Sequence, residues 1–105
     1  EKVMSKMSDL HLTYMENGYL IYDALKQWLI NVEPSRTQLN RMILTDVLEN
    51  DTDLHAAKYK VFSDCFLPFL QTYIQDDLAA EDLWSIHQDA HEECFDQFEE
   101  FLRDV

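Results

Sequence analysis

The chain has 105 residues, 47% of them hydrophobic and 12% aromatic, which is enough for one domain around one core. Its 21 acidic and 8 basic residues give a formal net charge of −13, which repels nucleic acid and anionic membrane surfaces and makes a basic molecule the fitting charged partner. The single glycine, Gly18, argues against a β-rich fold, and no Walker loop, dinucleotide fingerprint or nucleophile elbow is present, since each needs several glycines at set spacing.

The first third carries apolar residues at alternating spacings of three and four: Met4, Met7, His11, Tyr14, Gly18, Ile21, Leu25, Trp28 and Val32. This is a helical seam, read as one continuous or kinked helix with a weak point at Glu16-Asn17-Gly18. Pro34 disfavours helix at Glu33, and Ser35 with Gln38 three residues on has the form of a capping box. A second helix is predicted from about Ser35 to Glu49, burying Leu39, Met42, Ile43, Val47 and Leu48. Asn50 and Asp51 suit a turn, and Asp51 or Thr52 is the expected cap of a third helix that buries Leu54, Ala57, Val61, Phe62, Cys65 and Phe66. Pro68 removes a backbone donor, so a kink or break is expected there, with helix resuming over Phe69–Ile74.

The last boundary falls at "QDDLAAED", with Asp76 or Asp77 as cap. The final helix is expected to bury Leu83, His87, Ala90, Cys94, Phe98, Phe101 and Val105. Short connections between such helices predict an all-α, antiparallel bundle of four or five helices in a single domain spanning residues 1–105. No apolar run approaches the roughly 18 residues needed to cross a bilayer. Cys65 and Cys94 read as reduced thiols of a cytoplasmic protein rather than as a disulfide framework.

His87 and His91 stand at i and i+4, a spacing by which one helix can offer two imidazoles to one ion. Cys94 lies two turns from His87, roughly 10 Å along a helix axis, too far to complete the same site. His11 and His55 lie on other helices, and no Glu-x-x-His pair of the di-iron type occurs. The favoured reading places His87 on the seam with one nitrogen bonded to a neighbour, and no metal or cofactor is assigned. Cys94 and His91 could touch, but both cysteines fall on apolar faces, which raises a thiol's pKa, so the chain reads as non-enzymatic.

Charge is distributed unevenly. Residues 76–105 hold 11 acidic residues against one basic, Arg103, whereas the first 75 hold 10 acidic and seven basic. On a helix Asp82, Asp89, Glu93, Asp96 and Glu100 form one stripe opposite the apolar seam, flanked by Glu92 and Glu99. Like charges at i,i+4 cost a helix roughly 0.2–0.5 kcal/mol per pair, and acids near its C-terminus oppose the macrodipole. Such a local conflict marks a candidate functional surface.

The run "YIQDDLAAEDLWSIHQDAHEE", residues 73–93, resembles the segment around an Ile-His pair in the helical regulatory domains of partner-switching phosphatases of the bacterial stress response. It covers about a fifth of the chain, with less helix after Ile86-His87 than in that family. The likeness is fragmentary, and what it implies is a protein-binding role.

Three functions follow as expectations. The first is a protein-binding regulatory or inhibitory domain that docks a basic partner through Asp82, Asp89, Glu93, Asp96 and Glu100. The second is a metal-binding bundle using His87 and His91. The third is a homodimerisation module of a larger protein, resting on the first seam and on an aromatic complement that includes Tyr19, Tyr22, Tyr59, Phe69 and Tyr73.

Overall fold

The computed structural model describes residues 12–30, 35–74 and 78–103. All regular structure among them is helical, as expected. A short helix α1 (residues 12–16) is followed by α2 (Tyr19–Ile30), α3 (Arg36–Asn50), α4 (Leu54–Tyr73), α5 (Ala80–Ile86) and α6 (Gln88–Arg103). The anticipated positions Met4, Met7, His11, Val32, Pro34, Asp76, Asp77 and Val105 lie outside the described residues.

The first seam divides at Asn17-Gly18, where two turn residues separate α1 from α2. Tyr14, Gly18, Ile21, Leu25 and Trp28 are all buried along it. The capping box forms as the spacing predicts: Ser35 Oγ accepts from the Gln38 N–H, and Gln38 Oε1 accepts from the Ser35 N–H. At the other end of α3 the local chemistry is reassigned. Asp51, expected to open the next helix, instead closes α3 in the left-handed region with φ 50°. Asp53 caps α4, its carboxylate accepting from the His55 and Ala56 N–H groups at 3.1 and 3.3 Å. The run Asp51-Thr52-Asp53 offers three capping residues in a row, so sequence alone does not select among them.

Helix α4 runs unbroken from Leu54 to Tyr73 through Pro68. Pro68 faces solvent, where water can take the carbonyl its missing N–H leaves without a partner. This helix is the hub: it packs against α2, α3, α5 and α6. Its Phe62 and Phe66 stack with ring centroids 5.3 Å apart, and Trp28 of α2, Trp84 of α5 and Phe98 of α6 close around them at 4.9–6.0 Å. Rings that bury this much area and meet in offset or tilted contacts dominate the energetics of so small a core.

Helices α3 and α4 form a hairpin joined by residues 51–53. Helices α2 and α6 instead advance in the same direction, Tyr22 lying by Glu93 and Trp28 by Phe98. Several apolar residues expected inside are not. Met42, Leu48 and Leu54 are exposed, Leu48 at 82%, while Cys65, His87 and Phe101 are only half-buried. Helix α3 spreads its apolar side chains beyond the face that meets the core, and of them Leu39 and Ile43 alone are fully enclosed.

Candidate functional site: the last helix and its flanks

The final helix expected as one unit is two. His87 ends α5 with φ −98° and ψ 70° and starts α6, whose Ala90 N–H bonds to the His87 carbonyl at 3.0 Å. The cause is tertiary. His87 Nε2 lies 2.8 Å from the Tyr14 carbonyl; a carbonyl only accepts, so this nitrogen carries the proton. The ring rests against Gly18, where any side chain would overlap it. The Tyr14 hydroxyl also accepts from the Ala79 N–H at 3.1 Å, and Gln71 Oε1 accepts from the Ala80 N–H at 2.7 Å. Thus Ala79, which has no capping side chain, stands where an acidic cap was expected, and Tyr14 holds both ends of the seven-residue α5.

His91 lies on α6, stacked on Trp84 at 4.1 Å and 16°. Its Nε2 donates to the Trp84 carbonyl at 2.5 Å, and in the neutral ring Nδ1 accepts from the Tyr59 hydroxyl at 3.4 Å. The one-helix i,i+4 metal geometry is therefore not formed, because His87 sits at the break between two helices and each imidazole is committed to a different carbonyl. Among the described residues no three histidine, cysteine, aspartate or glutamate side chains come close enough to share an ion. Cys94 is fully buried, and its thiol is pushed up to about 12, by burial first and by the Glu93 charge second. Cys65 is also raised, by burial and then by Asp64. Neither thiol is activated.

Asp89, Glu93, Asp96 and Glu100 lie along the outer face of α6, all exposed, while Ala90, Cys94, Phe95, Phe98 and Leu102 of the opposite face are buried. Asp82 is exposed too, but belongs to α5, beyond the break at His87. Of the five, only Glu93 has a partner among the described residues, a long 3.4 Å hydrogen bond from the Tyr22 hydroxyl. That phenol's pKa is raised, chiefly by burial and next by the Glu93 charge. Of the flanking acids, Glu99 pairs with Lys58 at 3.5 Å and Glu92 is exposed.

Two concavities adjoin the row. One lies between α4 and α6, where His55, Tyr59, His91 and Phe95 meet Glu92 and Asp96; the other joins Leu29 of α2 to Glu100, Phe101 and Arg103. Beside the latter, Arg36 donates from Nε to the Phe101 carbonyl at 2.8 Å and lays its guanidinium 4.4 Å from the Phe101 ring centre. Neither the Tyr14 clamp nor the aromatic pocket was foreseeable, since both join residues far apart in the chain. No family model, curated protein or solved structure matches this chain in sequence or fold comparisons. The likeness noted for residues 73–93 thus gains no support, and the functional reading rests on geometry and charge.

Proposed function

We propose that this domain is a non-enzymatic, cytoplasmic protein-binding module that regulates or inhibits a basic partner by docking it on the outer face of α6. The observation that carries the reading is the row Asp89, Glu93, Asp96 and Glu100. These carboxylates are exposed at i,i+4 and i,i+3 spacings, and no lysine or arginine among the described residues pairs with any of them. Mutual repulsion without an internal counter-charge is a local cost that a basic surface would remove. Asp82 extends the acidic surface onto α5. In support of a reduced compartment, both cysteines are free thiols. No helix among the described residues is long and apolar enough to cross a membrane. The raised thiols and the engaged imidazoles support a binding rather than a catalytic role.

The test uses a variant carrying Asp89→Lys, Glu93→Lys, Asp96→Lys and Glu100→Lys, its helicity checked by circular dichroism. A basic protein captured by the parent from its native host should be lost by the variant and released as salt rises. Capture by both proteins, or retention at about 1 M salt where the Debye length is near 3 Å, removes the reading.

Self-association has one observation in its favour, now on a different helix. The described part of the first seam, from Tyr14 to Trp28, packs into the domain's own core, but Leu44 and Leu48 of α3 stand 57% and 82% exposed. A monomer mass by light scattering at all concentrations, unchanged by Leu48→Glu, removes that alternative.

A further inference from the structure

Resting on the reading of α6 as a docking face, we infer that the pocket between α4 and α6 receives an arginine side chain of the basic partner. The cavity is about 400 Å³. Its rings are set by contacts within the fold. His55 meets Phe95 edge-on at 5.0 Å, and Tyr59 meets Phe95 at 5.5 Å and 66°. The His91 ring is fixed between the Trp84 face, the Trp84 carbonyl and the Tyr59 hydroxyl. Glu92 and Asp96, both exposed and without a hydrogen bond or ion pair among the described residues, complete the lining with Gln88. Among the described residues no lysine or arginine lines the cavity, and Lys58, next to Tyr59 in the chain, is committed to Glu99.

Aromatic walls and two unpaired carboxylates select a cation, since ring faces attract positive charge and carboxylates bond to its N–H groups. A planar guanidinium satisfies both demands at once, stacking on a ring while its edge meets a carboxylate; a lysine ammonium, a strongly hydrated point charge, satisfies them less well. The pocket also opens beside Asp96, a member of the acidic row, so a basic segment lying along α6 brings its side chains to the mouth.

The test is calorimetric titration of the whole chain with three short capped peptides of alternating alanine and arginine, lysine or citrulline. The arginine peptide should bind more tightly than the lysine peptide by roughly two- to five-fold, the range of an exposed cation–π contact, and the neutral citrulline peptide should not bind. Tyr59→Leu, and separately the exposed His55→Ala in case the first disturbs packing, should abolish the arginine preference; Tyr59→Phe should keep it. Equal affinity for arginine and lysine peptides, lost on Asp89→Asn/Glu93→Gln/Glu100→Gln, overturns the pocket and leaves the acidic face standing. Arginine binding that ignores that triple neutralisation but is lost in Tyr59→Leu keeps the pocket and overturns the wider docking face. Binding of neither charged peptide overturns both.

Discussion

Replacing Gly18 with alanine tests whether the contact between the first turn and His87 sets the path of the chain. Gly18 is buried and its φ is not positive, so the backbone itself would accept alanine. Taken alone, the change should stabilise by about 0.4–1 kcal/mol through the unfolded chain. In this fold the added Cβ would stand 2.7 Å from both ring nitrogens of His87, inside any tolerable contact. The ring must leave, giving up its 2.8 Å bond to the Tyr14 carbonyl. Overpacking costs about 1–3 kcal/mol, and a carbonyl left without its donor costs about 1–3 kcal/mol more if it stays dry. After the entropic gain, a net loss of about 1–5 kcal/mol remains, each kcal/mol of it lowering Tm by about 4–8 °C for a domain of this size. Urea and thermal unfolding of Gly18→Ala, His87→Ala and the double variant supply the cycle. With the ring absent, alanine at 18 should become neutral or stabilising, so that the coupling is at least as large as the loss in the parent. Equal effects in both backgrounds, or a Gly18→Ala protein as stable as the parent, would refute the clamp.

Arg36→Ala should cost about 1–2 kcal/mol, since it removes a charged donor from the Phe101 carbonyl and a cation from the Phe101 ring; Arg36→Lys should recover only part, as read by urea midpoint. Asp53→Ala should cost about 1 kcal/mol by leaving the His55 and Ala56 N–H groups uncapped, whereas Asp51→Ala should cost little by comparison. Cys94, with its thiol raised from 9.0 to about 12, should hold roughly a thousand-fold less thiolate at pH 8 than an ordinary cysteine and should resist alkylation in the folded state; fast native labelling contradicts its burial. Because this folded pKa lies above the unfolded one, the thiol's contribution to stability is full below about pH 9 and is lost as pH rises towards about 12. Cys94→Ala should accordingly flatten the alkaline limb of the stability profile. Neutralising Asp89, Glu93, Asp96 and Glu100 to their amides should raise stability by about 0.5–1 kcal/mol at low salt while weakening partner binding, and a loss of stability would mean that the row serves the fold.

The legible parts of the fold were those written locally. Ser35 and Gln38 are three residues apart and complete each other's bonds, so their capping box survives any tertiary context. The alternation from Tyr14 to Trp28 buries as spaced because one helix face must meet the core. What could not be read depends on contacts between remote residues. Nothing near His87 breaks a helix; the Tyr14 carbonyl, 73 residues away, draws its ring out of register. Likewise His91 joins residues 59 and 84, and the pocket beside it draws on both α4 and α6. The apolar pattern of α3 misled for another reason. Leucine and methionine are strong helix formers as well as core residues, so Met42 and Leu48 extend the helix without having to be buried.

The acidic row can exist because α6 does not depend on its own propensity. Ala90, Cys94, Phe95, Phe98 and Leu102 bury one face against α2, α4 and the aromatic core, a gain far larger than the tenths of a kcal/mol lost to repulsion on the other face. The ends of the helix are treated differently from its middle. Asp89 lies in the first turn, where a carboxylate favours the helix dipole, and Arg103 with Arg36 places positive charge on the last turn. Compensation is therefore present at both termini and, among the described residues, missing along Glu93, Asp96 and Glu100, save for one long bond from Tyr22. A surface needed only for solubility could mix lysine with glutamate at i,i+4 and gain stability as well. Between Glu93 and Glu100 the outer face of α6 forgoes that gain, which the counter-charge of the proposed basic partner would restore.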